Sequence, residues 1–263
     1  MLKVAIIFIG TSKYASFFEN YYTNCREKFL PNIEKTFFFF TDAEIDGDLP
    51  EDIVLVNIEH KTWPLVTLGR FSSILLEKNR LCDYDYIVYL DADMLVNDVV
   101  LENEILDHDK DFIGVYHPGF YKKNQTMPYE RRPISTAFID IEGEIYWQGC
   151  MWGGKTSSII QMCEDICERI EQDEKNNIIA VWYDESHLNK YFLENIDKVY
   201  TLNPEYAFPA IYDQDPNRTF NYPNINPNIR KIIHVHKDSS SLHVTTNNVS
   251  KSETGDIFYS YKN

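Results

Sequence analysis

Short unbroken apolar runs recur along this chain, separated by segments whose apolar positions return every three or four residues. Residues 3–9 (Lys-Val-Ala-Ile-Ile-Phe-Ile), 36–41 (Thr-Phe-Phe-Phe-Phe-Thr), 53–58 and 87–90 each read as a strand buried on both faces. From Tyr14 the period changes. Phe17, Phe18, Tyr21, Tyr22, Cys25 and Phe29 suit a helix packed on a sheet, which Pro31 ends. Residues 68–78 read as a second helix. The β-α-β-β-α-β succession predicts an α/β sheet, parallel at least in its first half.

After residue 93 the texture shifts. Residues 111–152 are rich in Gly, Pro and aromatics, which predicts irregular segments forming a binding cleft. Gly153-Gly154 then precedes a predicted helix over 156–176. A buried strand is expected at 178–182, a helix at 184–195 and a short strand at 232–235. From Asn203 the chain is rich in Pro and Asn. From Ser239 it is polar apart from Ile257-Phe258-Tyr259, a tail expected to be mobile or ordered only by ligand. Without repeats or a strong linker, the reading is one domain over residues 1–238 with a tail over 239–263.

The stretch 84–96 carries the most chemistry. Its apolar strand (Ile87, Val88, Tyr89, Leu90) ends in Asp91-Ala92-Asp93. Two carboxylates at the end of a buried strand are costly to desolvate unless a cation sits between them. In an α/β sheet that carboxyl edge is also where ligands bind. A hard divalent cation held by carboxylate oxygens, with a ligand's phosphates completing its shell, explains the pair; an acidic turn is the plainer alternative.

Composition narrows the partners. At 263 residues, with 44% apolar and 14% aromatic content, the chain can bury a large core. Its formal charge of −16 argues against nucleic-acid binding, which needs a basic face. Met1-Leu2-Lys3 running directly into the first strand predicts a chain without a signal peptide, and no apolar run is long enough to span a bilayer. The five cysteines (Cys25, Cys82, Cys150, Cys163, Cys167) lack a disulfide spacing, so free thiols in a reducing, cytoplasmic setting are expected. Cys163 and Cys167 stand one helical turn apart, but share a stripe with Ile159, Ile166 and Ile170 that reads as core. The sequons at Asn124, Asn217 and Asn248 carry little weight in such a protein.

Several other residues could act on a ligand. Asp184 and Glu185 follow the predicted strand at 178–182, again at a sheet edge. A helix N-terminus would explain Asp184 equally simply, since acidic side chains there oppose the dipole. Glu185 is more open, because a carboxylate beside a bound sugar can act as nucleophile or base. His117 opens a Pro-Gly turn, and Tyr129-Glu130-Arg131-Arg132-Pro133 reads as a salt-bridged loop. Arg70 and Lys237 could neutralise phosphates. There is no Gly-x-Gly-x-x-Gly and no Gly-Lys-Ser/Thr loop, against a dinucleotide dehydrogenase or a Walker-type ATPase.

Taken in order, Tyr89-Leu90-Asp91-Ala92-Asp93-Met94, His117-Pro118-Gly119-Phe120-Tyr121, Tyr129 to Pro133, Gly153-Gly154, and Trp182 to Tyr191 (with Asp184-Glu185-Ser186-His187-Leu188-Asn189-Lys190-Tyr191) resemble family 6 of the retaining glycosyltransferases. That group holds the blood-group A and B transferases and α-1,3-galactosyltransferase. The resemblance covers roughly residues 3–237. It implies a GT-A fold, a single Rossmann-like α/β domain with a mixed central sheet. It also implies a UDP-sugar donor, Mn²⁺ and an oligosaccharide acceptor. Asp91 and Asp93 would hold metal and donor. Ile9, Gly10, Thr11 and Tyr14 match the segment that cradles uridine, and Arg70 a donor-binding arginine. Asp184 matches a residue touching the donor sugar, and Lys237 a lysine closing on the diphosphate. His117 and Trp182 match acceptor-side residues, and Glu185, also facing the acceptor, the proposed nucleophile.

The activity so implied is transfer of galactose or N-acetylgalactosamine to the 3-hydroxyl of a β-galactoside, perhaps fucosylated, with an α-1,3 product. Departures from the family pattern touch details. A C-terminal arginine is replaced near His243, and an acceptor-side aspartate falls near Pro209. Gln148-Gly149-Cys150 occupies the segment that tells the two sugars apart, where Cys150 is bulkier than the glycine of N-acetylgalactosamine users. A carbohydrate-binding protein without turnover and a haloacid-dehalogenase-type phosphohydrolase are the competing classes. The second places its Asp-x-Asp after the first strand, whereas Asp91 lies much further in.

Overall fold

The computed structural model describes residues 2–106, 109–121, 126–209 and 230–235, together with the backbone of 258–260. The chain opens with β1 (Lys3–Ile9), a 3₁₀ turn over Ser12–Phe17, α1 (Phe18–Lys28), β2 (Glu34–Thr41), β3 (Glu44–Asp46) and β4 (Ile53–Asn57). Three short helices follow, α2 (Leu65–Leu68), α3 (Arg70–Leu75) and α4 (Lys78–Leu81), then β5 (Tyr86–Leu90), β6 (Met94–Val96) and α5 (Glu102–Ile105). The second half carries β7 (Phe112–Tyr116), β8 (Trp147–Lys155), α6 (Thr156–Lys175), α7 (Tyr183–Glu194), β9 (Val199–Leu202), β10 (Phe208–Pro209), β11 (Ile232–His234) and β12 (Phe258–Ser260).

Seven strands form the central sheet in the order β4-β2-β1-β5-β8-β7-β9. All run parallel except β8, which is antiparallel to both β5 and β7. The expected mixed α/β sheet is therefore present. Its four-phenylalanine strand shows why both faces are buried: Phe37 and Phe39 point into the layer with Phe18 and Tyr21 of α1, whereas Phe38 and Phe40 point toward α3 and α6. Each such ring contributes roughly 1.5–3 kcal/mol by leaving water. On the second face, α6 lays down Ile159, Ile160, Met162, Cys163, Ile166 and Ile170, all buried, so the cysteine belongs to the core stripe. All five cysteines are free. Among the described residues no helix is long and apolar enough to cross a membrane.

Four predicted elements differ. The helix expected from Tyr14 begins as a 3₁₀ turn and becomes α-helical only at Phe18. The helix expected over 68–78 is instead three short pieces, interrupted at Gly69 and at Glu77, whose backbone leaves the helical region. The strand expected at 178–182 is not formed. Ile178 and Ala180 are buried while Ile179, Val181 and Trp182 are exposed, but among the described residues no strand pairs with them. The Val181 amide donates instead to the Glu130 side chain at 2.8 Å. Finally, residues 111–152 contain the whole of β7 and most of β8, two strands of the sheet. The β8 sequence, Trp-Gln-Gly-Cys-Met-Trp-Gly-Gly-Lys, has no β-branched residue and so lacks the usual strand signature. Its glycines permit close contact: a Cβ on Gly154, at φ +151°, would meet the Asp111 carbonyl oxygen at 2.1 Å.

Lys237, His243, the three sequons and most of the 239–263 tail, with the expected boundary at 238, lie outside the described residues. Within the tail, the backbone of β12 pairs antiparallel with β3. The salt-bridged loop at 129–133 is present: Arg132 pairs with the buried Glu130 at 2.5 Å and Arg131 with Glu142 at 2.7 Å.

One side chain ties the sheet to α7. Asn189 is fully buried; its amide oxygen accepts from the Trp147 N–H at 2.9 Å and its amide nitrogen donates to the Trp147 carbonyl at 2.8 Å. The same nitrogen donates to the Glu185 carbonyl at 2.9 Å, one turn back along the helix. Asn189→Ala strands two buried backbone groups of β8, and we expect a loss of about 2–4 kcal/mol in urea unfolding. A loss below about 0.5 kcal/mol would show that β8 and α7 hold their register without it.

Candidate functional site

The site assembles at the carboxyl edge of the sheet, where β1 and β5 lie side by side with Ile7 opposite Tyr89. That register brings the Ile9–Thr11 turn level with Asp91. Gly10 is held by its amide to the Phe40 carbonyl at 3.0 Å, and Thr11 pairs its hydroxyl with His60 Nδ1 at 2.8 Å. Tyr14 is half-buried and stacks on Phe17. Of the four residues expected at a uridine, Ile9, Gly10 and Thr11 thus follow one another at the end of β1, and Tyr14 lies in the 3₁₀ turn just beyond.

Arg70 is the centre of the cluster. It is buried, and its Nη1 lies 3.3 Å from Asp91 Oδ1 and 3.2 Å from Asp184 Oδ2, while donating to the Gly149 carbonyl at 2.9 Å. Its guanidinium also covers the Tyr89 ring at 4.8 Å. Burial would lower its pKa, but Asp184 foremost, then Tyr89 and Asp91, hold it above the ordinary value. The Tyr89 hydroxyl donates to the same Asp91 oxygen at 2.5 Å. Burial raises Asp184 above the usual carboxylate range against the adjacent Arg70 charge.

Asp184 and Glu185 begin α7 rather than end a strand. Of the two sequence readings of Asp184, the helix N-terminus is the one present. Glu185 is half-buried and its two oxygens have separate donors: the Tyr146 hydroxyl at 2.7 Å and the Gly149 N–H at 2.7 Å. Burial pushes its carboxyl up to about 7, and these hydrogen bonds, which favour the ion, only partly offset that. A glycine is needed opposite: a Cβ on Gly149 would stand 3.3 Å from Glu185 Oε2 and 3.5 Å from Asp184 Oδ2. The backbone arches here, because the β7–β8 register shifts between Gly114 and Val115. Cys150 is also buried, and that burial first, then the charges of Asp91, Glu185 and Asp93, hold its thiol protonated against the opposing pull of Arg70. Gln148 is buried beside Cys150, and among the described residues its Oε1 has no hydrogen-bond partner.

On the other flank, His117 Nδ1 accepts from the Gly119 N–H at 3.0 Å, which places the ring proton on Nε2. Burial, then repulsion from His234, lowers its pKa to about 4, so the ring is neutral at pH 7. Its ring lies 5.7 Å from that of Tyr146, the donor to Glu185. Trp182 is exposed, and the adjacent Tyr183 packs edge-on against the exposed Trp63 at 4.7 Å.

Three residues here escaped the sequence reading. Tyr146 and Trp63 carried no motif. His234 did carry a faint one, an imidazole closing the 232–235 strand. In the structure β11 pairs with β6, and His234 Nε2 stands 3.0 Å from Asp93 Oδ1. Asp91, Asp93 and His234 present ligand atoms within 4.8 Å of one another. Of the four carboxylates gathered here, Asp91 and Asp184 share the Arg70 guanidinium, Asp93 faces His234, and Glu185 takes the Tyr146 and Gly149 donors. The excess negative charge and the oxygen–nitrogen donor set fit a divalent cation.

The mixed sheet and a family match together make this a glycosyltransferase of the GT-A fold. The chain belongs to Glycosyltransferase family 6, whose family model matches residues 2–226. It is 33% identical over 218 residues to the Escherichia coli O-antigen biosynthesis glycosyltransferase WbnI, covering 81% of this chain and 91% of that protein. It is 29% identical over 226 residues to human globoside α-1,3-N-acetylgalactosaminyltransferase 1, covering 82% of this chain and 64% of that protein. With rat histo-blood group ABO system transferase 2 the identity is 30% over 215 residues, covering 78% and 63%.

The Glu185 environment has a pH signature. Its folded pKa of about 7 lies above the ordinary 4.5, so between these values the folded chain holds more protons than the unfolded one. Stability is then lost as pH rises through that window, by on the order of 3 kcal/mol. Glu185→Gln removes the titration. Relative to wild type, the variant should gain that amount between pH 4.5 and pH 8 in denaturant unfolding. A difference independent of pH would place Glu185 in a solvated, ordinary environment.

Proposed function

We propose that this chain is a metal-dependent retaining hexosyltransferase, which moves galactose or N-acetylgalactosamine from a UDP-sugar to the 3-hydroxyl of a β-galactoside. The observation that carries the reading is the pairing of Asp91 and Asp93 at the end of β5 with a separately held Glu185 across the Gly149 arch. One carboxylate set serves the leaving group and the other the sugar. Family membership and the names of the relatives support the reaction class.

Asp91 and Asp93 would hold Mn²⁺. Once bound, such an ion supplies positive charge to the diphosphate as the glycosidic bond breaks. The chain's own residues do the rest. Ile9, Gly10, Thr11 and Tyr14 line the strand end that receives the uridine. Arg70 neutralises and orients Asp91 and Asp184, so that the donor meets a fixed rather than a mobile pair. Asp184 faces the donor sugar, while Gln148, Gly149 and Cys150 line its pocket; the thiol bulk of Cys150 favours galactose. As the anomeric carbon becomes oxocarbenium-like, the Glu185 carboxylate faces it, either as nucleophile or as electrostatic stabiliser. The donors from Tyr146 and Gly149 keep that carboxylate aimed. Neutral His117 offers its Nε2–H to the acceptor, and exposed Trp182 offers a ring face to a sugar. Lys237 closes on the diphosphate, and the chain acts without a membrane span or nucleic acid in the cytoplasm, with residues 1–238 as its catalytic domain.

The test is transfer measured by UDP release with UDP-galactose and UDP-N-acetylgalactosamine, with and without Mn²⁺, across an array of β-galactosides. Asp93→Ala should abolish metal-dependent transfer, and full activity in chelator would remove the metal assignment. Glu185→Gln should cut kcat by roughly 10²–10⁴-fold while UDP still binds. Turnover near wild type would strip Glu185 of its role.

A further inference from the structure

We infer that His234 is a direct third ligand of the divalent cation, so that the site is a two-carboxylate, one-imidazole set rather than an Asp-x-Asp pair alone. The inference rests on the metal reading above and deepens it. Three observations carry it. First, His234 Nε2 and Asp93 Oδ1 are 3.0 Å apart. Adjacent ligands about 2.1 Å from an octahedral ion stand about 3 Å apart, so this spacing is that of two neighbours in one coordination shell. Asp91 completes the set, with all three ligand atoms within 4.8 Å.

Second, the backbone is built to deliver this residue. The strand β6 starts immediately after Asp93, and β11 runs antiparallel to it with His234 opposite Met94. The Val235 N–H donates to the Asp93 carbonyl at 2.9 Å, locking the register at the ligand itself. Ile232 at the start of β11 is buried in the core, so the strand is anchored by packing. Third, the His234–Asp93 pair adds a further carboxylate to a strand end whose one guanidinium is already divided between two others. Asp91 already shares Arg70 with Asp184, which leaves the strand end rich in negative charge. Among the described residues no other group of three His, Cys, Asp or Glu side chains could hold a metal.

An imidazole changes which ions bind. Carboxylates alone suit Mg²⁺ and Ca²⁺ as well as Mn²⁺, whereas a nitrogen ligand favours Mn²⁺ and Co²⁺ over the harder pair. The site should therefore discriminate by ligand chemistry as well as by charge.

The experiment uses the full chain loaded with Mn²⁺ and UDP and examined by pulsed electron paramagnetic resonance. The wild type should show the modulation of a directly bound imidazole ¹⁴N, changing to the ¹⁵N pattern when histidine is isotopically labelled. His234→Ala and the bulkier His234→Gln should both lose it. By titration calorimetry each variant should bind Mn²⁺ about tenfold or more weakly, with a smaller loss for Mg²⁺. Mn²⁺ bound by the wild type with no histidine nitrogen coupling would overturn the inference and leave the Asp91–Asp93 site standing. Equal Mn²⁺ affinity in wild type and both variants would do the same. Failure of the wild type to bind Mn²⁺ in the presence of UDP would overturn the metal reading and this inference with it.

Discussion

A single buried guanidinium organises this molecule's working end. Arg70 reaches from α3 to Asp91 at the end of β5, to Asp184 at the start of α7 and to the Gly149 carbonyl on β8. These contacts join three elements far apart in sequence. Taking a charge out of water costs several kcal/mol, so the arrangement holds only because each neighbour is anionic or an acceptor. Without Arg70, Asp91 and Asp184 would repel each other in a poorly solvated space. With it, both stand still beside Asp93 and Glu185.

The surrounding fold serves that geometry. The parallel strands β1 and β5 bring the Ile9–Thr11 turn and Asp91 to one edge. The lone antiparallel strand, β8, passes beside β5 and arches at residues 148–151, placing a bare glycine backbone under Glu185. The buried Asn189 fixes that arch to α7 through both polar groups of Trp147. The result separates two carboxylate environments within one cleft. Asp91 lies against charge and hydroxyl donors, while Glu185 lies in a drier setting that lifts its pKa toward neutrality.

Much of this could be read from the sequence because the strands that build the edge are buried on both faces. The Phe37–Phe40 run and the strand before Asp91 leave no other place for so many apolar side chains. The short motif around Glu185 was legible for a similar reason, since its residues are local to one helix. What was not legible is long-range. The alternation of Ile178 and Ala180 against Ile179 and Val181 looks like a strand, yet no strand among the described residues pairs with it. Strand β8 lacks β-branched residues and is held by its neighbours rather than by propensity. Arg70 read as a residue that could neutralise phosphates; its pairing with Asp91 and Asp184, which come from elements far along the chain, was not legible. His234 could not be placed at Asp93 because a three-residue strand, recruited from far along the chain, sets that contact.

The central claim is that the carboxylates at the end of β5 exist to couple a divalent cation to a nucleoside diphosphate. Reciprocal linkage between the two ligands measures this directly. UDP binding by titration calorimetry, repeated over a range of Mn²⁺ concentrations and in chelator, should tighten at least tenfold as Mn²⁺ rises, with Mn²⁺ affinity raised by the same factor when UDP is present. UDP affinity that is the same in chelator and in saturating Mn²⁺ would contradict the account.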